Sequence, residues 1–334
     1  MNKYPLTDPW CLVEEGFDIS DHLASESTFS IGNGQIRQFG NFEEYYSGET
    51  ISGTYITGIN NSEKVKFLNL NTGKIKTTDR FVNAPDWVGI IVRLNEEKLD
   101  LAVCEVINYK RVLNMKDGFL ERTFEVVSMK GHHIKVAVKR FVSMADKEVG
   151  AISYSIKSIN FAGRITFMPL INGDINETNN ENEPIWNVLQ TKTQQDVAHL
   201  WTNNRHTDFH VCSALSYDLY KNNELLNVIP TKIEKEKVVG FSIGADIKTG
   251  DTLYLIKYIA IVNSMNYPHK ELTERACELA RVSKHKGWNK LCNQHSEVMT
   301  VKWIQLDSIN EQDIEIHQAK LYEIFRSFQG LDNL

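Results

Sequence analysis

The sequence predicts a mainly β fold: a large antiparallel β-sandwich followed by helices towards the C-terminus. Between residues 17 and 263, short apolar or alternating segments of strand length recur, separated by turn sequences. From Ser264 onwards, apolar residues instead recur at the three- and four-residue spacing of helices. Strands at this even spacing, with almost no helical period between them, are typical of an antiparallel sandwich or barrel.

Six segments are the clearest strand candidates. They are Ala102–Tyr109, Leu120–Val127, Ile134–Val142, Ala151–Ile159, Val238–Ile243 and Leu253–Ile261. The turn sequences between such segments are Asn33-Gly34, Asp117-Gly118, Lys130-Gly131, Asn172-Gly173 and Thr249-Gly250-Asp251. The polar, Asn-rich segment Asp174–Pro184 predicts a surface loop, because strand signals resume after it.

Three helices are predicted in the C-terminal part. Pro268 suits the first turn of the first helix and Gly287 suits its end. A second helix carries Leu291, His295, Val298 and Lys302 at helical spacing.

The third helix runs from about Asp313 to Gln329 and is strongly apolar. Its apolar residues are Ile314, Leu321, Phe325 and Phe328, with Tyr322 and Ile324 beside them. A helix with this much aromatic surface requires a partner layer, and the sequence does not supply an evident one. We therefore expect the last helix to lack its partner within this chain.

Composition limits the partners and the compartment. The 334 residues fit one large β domain plus a smaller part, since a domain averages about 150 residues. The net charge of −6 indicates no basic face for nucleic acid, and no apolar run is long enough to span a membrane. Met1–Trp10 does not resemble a signal peptide, and five widely spaced cysteines favour reduced thiols and the cytoplasm.

Two short motifs resemble ligand-binding sites but have simpler interpretations. Gly32-Asn33-Gly34 lacks the third glycine of a dinucleotide loop and the Lys-Ser/Thr of a P-loop, so we interpret it as a hairpin turn. His132-His133 follows Lys130-Gly131 and is expected to flank a turn. No GxSxG motif or nucleophile signature is present in the sequence.

A third motif contains residue types that bind zinc: His206, Asp208, His210 and Cys212. On a strand these four would share one face, with Phe209 and Val211 facing the core. Ligands in a row along one strand do not converge on a tetrahedral site, so a solvated strand face is the favoured interpretation over a metal site.

Carboxylates stand beside aromatic residues at Glu43-Glu44 and at Asp86-Trp87. Sugars are often held by such groups, because carboxylates bind hydroxyls while ring faces stack on apolar sugar faces. The alternative for the paired glutamates is a solvated strand edge. Glycosidase chemistry needs two carboxyl groups across one bond, which sequence spacing alone does not establish.

Several segments, in order along the chain, resemble glycoside hydrolase family 65. The first is Glu26–Ile59 (ESTFSIGNGQIRQFGNFEEYYSGETISGTYITGI). It is followed by Phe81–Asn95 (FVNAPDWVGIIVRLN), Tyr109–Phe124 (YKRVLNMKDGFLERTF), Lys139–Asp146 (KRFVSMAD), and Gly287-Trp288 to Trp303. The family includes the maltose, kojibiose, nigerose and trehalose phosphorylases and the acid trehalases. Met299 and Leu321 depart from it, standing where the family usually has Trp and Arg.

The resemblance implies an organisation in three parts. Residues 1–264 would form a β-supersandwich similar to galactose mutarotase, residues 265–312 a helical linker, and residues 313–334 the first helix of an (α/α)6 catalytic barrel. The segment Ile316–Gly330 (IHQAKLYEIFRSFQG) resembles that helix. The family's catalytic Glu and phosphate-binding loop have no matching positions here. We therefore assign no catalytic, cofactor-binding or metal-ligating residue and no cofactor.

The resemblance thus implies a non-catalytic N-terminal domain of an enzyme acting on α-linked glucose disaccharides. Inorganic phosphate would be the co-substrate, and the catalytic barrel, in cis or as a companion chain, the partner, with a homodimer as a further expectation. One alternative is a stand-alone carbohydrate-binding β-sandwich, with Trp87, Trp186, Trp201 and Tyr45-Tyr46 as stacking surfaces. Another is a mutarotase-like isomerase, which needs a converging acid and base.

Overall fold

A computed structural model describes residues 6, 8–69, 74–175, 184–305 and 313–330, with the backbone alone for residues 58–69 and 74–82. The strands up to residue 127 are β1 (Cys11–Glu15), β2 (Ile31–Gly32), β3 (Ile36–Gln38), β4 (Thr54–Asn69), β5 (Lys74–Ala84), β6 (Ile90–Leu94), β7 (Glu97–Lys98), β8 (Glu105–Asn114) and β9 (Phe119–Val127). The next five are β10 (His133–Val142), β11 (Val149–Ser158), β12 (Gly163–Asn172), β13 (Trp186–Gln194) and β14 (Val197–Asn204). The last five are β15 (His210–Lys221), β16 (Glu224–Leu225), β17 (Thr231–Glu234), β18 (Val238–Ile247) and β19 (Thr252–Asn263). The helices are α1 (His22–Thr28), α2 (Leu272–Ile304) and α3 (Ile314–Phe328).

The described strands form three antiparallel sheets. The largest has the order β1-β8-β9-β10-β11-β19-β15-β14-β13, with β16 added beside β15. A second has the order β17-β18-β12-β6-β7, and a third has the order β2-β3-β4-β5. The mainly antiparallel β fold with C-terminal helices is confirmed.

The largest sheet is a central layer, covered on one face by the second sheet and on the other by α2. Strand β19 shows why. Leu255 and Ile259 point into the core between the sheets, whereas Tyr258 and Val262 point towards α2. Tyr258–Val262 in this strand is apolar throughout, and because side chains alternate along a strand, such a run indicates burial on both faces.

The six predicted strands are all present, with ends shifted by a few residues. The largest shift is at the end of β8, which continues to Asn114 rather than Tyr109; this strand also begins later, at Glu105, because Ala102–Cys104 form a turn. Gly34, Gly118, Gly131 and Gly250 have positive φ, as four of the predicted turns require. The predicted turn at Asn172-Gly173 is wrong, because Asn172 ends β12 and Gly173 does not have positive φ. Of the predicted loop Asp174–Pro184, residues 176–183 lie outside the described residues.

The first two predicted helices follow each other directly within α2 and are separated by a kink at Gly287. Gly287 has φ 76° and ψ 164°, a conformation that only glycine adopts readily, so the break occurs at the predicted position. The first half of α2 packs Leu272, Ala276 and Ala280 on the large sheet. The second half brings His295 and its neighbours to the opposite end of that sheet.

Helix α3 begins at the predicted residue. Asp313 is its N-cap and accepts hydrogen bonds from the N–H groups of Glu315 (2.9 Å) and Ile316 (3.3 Å). Leu321 and Phe325 are fully buried in the main core of the β domain.

The expectation that α3 lacks a partner within the chain is therefore wrong. Gln318 donates to the carbonyl oxygen of Cys11 (2.9 Å), and Tyr322 donates to that of Thr28 (2.8 Å). The N–H of Gly34 donates to the carbonyl oxygen of Gln329 (3.0 Å). The partner layer is the N-terminal part of the chain, about 300 residues away in sequence. The spacing of apolar residues within one segment does not show a contact over that distance.

None of the helices in the described part of the chain combines the length and the apolar composition that a membrane span requires.

Candidate functional site

Glu43 and Glu44 are buried inside the β domain rather than exposed to a ligand or to solvent. Three inward-facing residues of the large sheet meet them. Arg140 Nη1 donates to Glu43 Oε1 at 2.7 Å, and the Tyr154 hydroxyl donates to Glu44 Oε1 at 2.7 Å. Arg122 Nη2 contacts both carboxylates and lies 2.7 Å from Glu44 Oε2. Both sequence interpretations, a sugar-binding pair and a solvated edge, are therefore wrong.

The charges of this cluster are balanced. Burial alone would raise the pKa of Glu43, but the guanidinium groups of Arg122 and Arg140 outweigh it and lower that pKa below its ordinary value. Burial alone would lower the pKa of Arg122, but the carboxylates of Glu43 and Glu44 raise it well above its ordinary value. A carboxylate held ionised in this way is unsuited to general-acid catalysis. The cluster instead ties the segment after β3 to the large sheet.

An open cleft of about 470 Å³ lies beside the base of the β4–β5 hairpin. Tyr55, Asn83, Asp86, Asn172 and Asp174 contribute to its wall. The wall thus combines two carboxylates, two amides and one aromatic ring, which are the side chains that bind sugar hydroxyls. Of the sequence candidates, Asp86 lies in this cleft.

The Asp86 carboxylate is fixed by its own turn. Oδ1 accepts a hydrogen bond from the N–H of Val88 at 3.0 Å, and Oδ2 accepts one from the N–H of Gly89 at 3.3 Å. Its backbone forms a two-way bridge with Asn172, with both N···O distances at 2.8 Å. Asp174 is paired with Lys237 at 2.8 Å. The position of Asp86 is therefore set by backbone groups of its own turn and of β12.

The five aromatic residues proposed as stacking surfaces differ in exposure, and two of them, Tyr46 and Trp201, are partly buried against the core. Trp87 is completely buried, and Trp186 is 6% exposed with its indole N–H donating to the carbonyl oxygen of Asn83 (2.6 Å). These two belong to the core, so they offer no face to a sugar. Tyr45 is 39% exposed, and the ammonium group of Lys98 lies 3.1 Å from its ring centre.

Gly32-Asn33-Gly34 forms the predicted hairpin turn between β2 and β3. Asn33 Oδ1 accepts hydrogen bonds from the N–H groups of Gln35 and Ile36, both at 2.9 Å. The Asn33 amide also donates to the carbonyl oxygen of Ser143 at 2.7 Å. These contacts occupy Asn33 with shaping the turn and fixing it to the large sheet.

The motif of possible zinc ligands, which comprises His206, Asp208, His210 and Cys212, does not lie on a single strand. Strand β15 begins only at His210, so His206 and Asp208 are in the preceding turn. Cys212 is completely buried against α2, which contradicts the solvated-face interpretation. Phe209 and Val211 do face the main core, as predicted.

The structure instead groups Asp208 and His210 with His269, a residue that sequence spacing did not single out. The possible ligand atoms of the three all lie within 4.8 Å of one another. His210 Nε2 is 3.4 Å from Asp208 Oδ1, and His269 Nε2 is 3.9 Å from Asp208 Oδ2. The two imidazole rings are stacked, with centroids 3.9 Å apart. Burial and the neighbouring His269 lower the pKa of His210.

Comparison with known proteins identifies the family and the relatives that this chain resembles. The family model described as glycosyl hydrolase family 65, N-terminal domain, matches residues 12–301. The alpha,alpha-trehalose phosphorylase of Thermoanaerobacter brockii is 26% identical over 340 residues, covering 98% of this chain and 43% of the relative. The maltose phosphorylase of Bacillus subtilis (strain 168) is 26% identical over 332 residues, covering 96% and 42%.

Among solved structures, a putative kojibiose phosphorylase from the human microbiome has a TM-score of 0.83 and 20% identity. The match covers 98% of this chain and 42% of that protein, and it shows a shared fold. The chain thus spans less than half the length of the relatives that it matches.

Proposed function

Because this chain belongs to glycosyl hydrolase family 65, as its N-terminal domain, we propose that it is the non-catalytic part of an enzyme acting on α-linked glucose disaccharides. The observation that supports this most strongly is the family match over residues 12–301, in a chain that spans less than half of each phosphorylase relative. On this proposal, a catalytic (α/α)6 domain supplies the chemistry and this domain supports it.

The proposed reaction is inverting phosphorolysis. Phosphate is itself an anionic nucleophile, so the enzyme needs one protonated carboxyl group to assist the leaving sugar, whereas an inverting hydrolase needs an acid and a base. In-line attack on an α-glucoside would give β-glucose 1-phosphate. Inorganic phosphate is then a co-substrate, and no other cofactor is proposed. The buried, ion-paired state of Glu43 and Glu44 supports a site outside these two residues.

Exposed apolar residues support a catalytic domain in cis. At the end of α2, Val301 and Ile304 are 53% and 76% exposed, and at the start of α3, Ile314 and Ile316 are 44% and 48% exposed. These side chains, at the end of one helix and the start of the next, would be covered if a further domain packs against this part of the chain. The five cysteines are free thiols, which supports a cytoplasmic location.

An assay of the purified chain tests the proposal. The chain is incubated with maltose, kojibiose, nigerose or trehalose, with and without phosphate, beside a full-length phosphorylase relative. We expect no glucose 1-phosphate and no glucose above the level of a protein-free control. Release of either product by the chain alone would contradict a non-catalytic role.

The cleft at Asp86 favours a second candidate, a carbohydrate-binding domain, because its wall carries carboxylates, amides and Tyr55. Calorimetric titration with the same disaccharides tests this role. Saturable binding that D174N weakens, and that D246N leaves unchanged, would support it, since Asp246 is exposed on β18 and is not among the residues lining the cleft. Heats equal to those of dilution would reject it.

A further inference from the structure

We propose that Asp208, His210 and His269 form a binding site for a divalent transition metal ion, with Zn²⁺ as the best match. Two imidazole nitrogens and one carboxylate, with water at the fourth position, are a ligand set that Zn²⁺ accepts. Imidazole ligands also disfavour Mg²⁺ and Ca²⁺, which prefer oxygen.

The spacing of the ligand atoms carries the inference. Two ligands bound tetrahedrally at about 2.1 Å from an ion lie about 3.4 Å apart. His210 Nε2 and Asp208 Oδ1 are 3.4 Å apart, and His269 Nε2 and Asp208 Oδ2 are 3.9 Å apart. Both distances exceed the range of about 2.7–2.9 Å expected of charge-assisted hydrogen bonds. Both separations are close to the spacing of ligands around a shared ion. The two rings are stacked with their planes 22° apart, so they would have to rotate about their side-chain bonds for both Nε2 atoms to face one ion.

The three ligands come from two distant parts of the chain, as convergence on an ion requires. His210 opens β15, and its backbone N–H donates to Ser264 Oγ at 3.0 Å. Asn204 Oδ1 accepts from the N–H groups of His206 and Thr207, which shapes the turn that carries Asp208. His269 lies in a single 3-10 turn that leads into α2.

The exposure of the site suits reversible binding. His210 is 12% exposed and is held by its surroundings, whereas Asp208 is 86% exposed and can move the few tenths of an ångström needed to close on an ion. Binding would link the turn before β15 to the start of α2. Since an ion bound only by the folded state stabilises that state, Zn²⁺ should raise the unfolding temperature of this chain.

The test is a metal titration of the chelator-treated chain. Zn²⁺ binding is measured by calorimetry, and Co²⁺ is used in parallel, because its visible spectrum reports nitrogen ligation and tetrahedral geometry. The variants are H269Q and D208N, chosen because both side chains are partly or largely exposed and should fold normally. H206Q is the matched control, since His206 lies in the same turn and outside the group. Circular dichroism verifies that each variant is folded.

We expect one equivalent of Zn²⁺ to bind, a Co²⁺ spectrum typical of four-coordination, and at least tenfold weaker binding in H269Q and D208N than in H206Q. Unfolding temperature should rise with Zn²⁺ in the wild-type chain and in H206Q only. Equal affinity in all four proteins, no binding to the wild-type chain, or equal binding of Mg²⁺ would each overturn the proposal.

Discussion

His295, in the second half of α2, accepts a hydrogen bond at Nδ1 from the backbone N–H of Met144, with an N···N distance of 3.0 Å. Its other ring nitrogen, Nε2, donates to the carbonyl oxygen of Gly118 at 3.1 Å. The ring is 1% exposed and packs against Phe119 and Phe141. One neutral imidazole therefore joins the helical segment to two separate loops of the large sheet.

This arrangement predicts a loss of stability in mild acid. Burial lowers the pKa of His295 to about 4, from an ordinary value of 6.5. Below pH 6.5 the unfolded chain binds a proton that the folded chain does not, so this contribution is complete above about pH 6.5 and falls until about pH 4. The full change is about 3 kcal/mol. Urea unfolding from pH 7 to pH 4.5 measures it.

The control for this pH dependence is a comparison of two variants on the same helix. H295Q should show a shallower dependence on pH than the wild-type chain, whereas H285Q should match the wild-type chain because His285 is exposed. A wild-type slope retained in H295Q would show that other groups cause the dependence.

Gly118 is predicted to be much less tolerant of substitution than Gly131. Both have positive φ, 75° and 78°, so a Cβ costs about 1 kcal/mol of backbone strain at either position. At Gly118 the added atom would lie 2.5 Å from His295 Nε2, whereas at Gly131 no atom lies within 4 Å. G118A should therefore lose about 1–3 kcal/mol more than G131A in denaturant unfolding.

A double-mutant cycle identifies the source of that difference. H295A removes the ring that the new methyl group would meet most closely, so the cost of G118A should fall most of the way towards that of G131A in the H295A background, with the contact to Met299 Cγ at 3.2 Å remaining. Additive effects of G118A and H295A would contradict the contact.

The docking of α3 predicts a large effect at Phe325. Its ring is fully buried in the main core, so F325A should destabilise the chain by about 3–5 kcal/mol. Ile316, on the same helix and 48% exposed, is the control, and I316A should change stability by about 0.5 kcal/mol or less. Equal, small effects in thermal and urea unfolding would mean that α3 does not pack on the β domain.

The buried cluster of Glu43, Glu44, Arg122 and Arg140 predicts that removing one charge destabilises the fold more than removing a pair of opposite charges. E43A leaves the guanidinium groups of Arg122 and Arg140 without one of their carboxylates, which should cost about 3–5 kcal/mol. Replacing Arg140 as well, in the variant E43A/R140M, should recover part of that loss, because the uncompensated charge is removed. Urea unfolding at pH 7 measures E43A, R140M and the double variant. A double variant that loses the full sum of the two single effects would contradict charge pairing as the cause.

The six named strands and the C-terminal helices were predictable because they depend on local periodicity. Leu120, Phe124 and Val126 share one face of β9 by period two, and the same period places Arg122 among them. That charged residue on an apolar face was a visible signal of a buried ion pair. Its partners Glu43 and Glu44 were not predictable, since about 80 residues separate them from Arg122.

Most of the features that the sequence did not predict depend on contacts between distant segments. The seven-residue helix α1 has too few residues to show a clear helical period. His269 joins Asp208 and His210 only because β15 and the segment before α2 lie side by side in the fold. The same reason applies to α3, whose partners at Cys11, Thr28 and Gly34 belong to the opposite end of the chain.

The most direct measurement of the central claim is a quantitative phosphorolysis assay of this chain at high protein concentration. Glucose 1-phosphate is followed by phosphorus NMR with each of the four disaccharides, beside a full-length trehalose or maltose phosphorylase at a thousandfold lower concentration. We expect the reference enzyme to form its product and the chain to form none above background. Sustained, protein-dependent formation of glucose 1-phosphate by the chain alone would show that it holds a complete active site and would contradict the account.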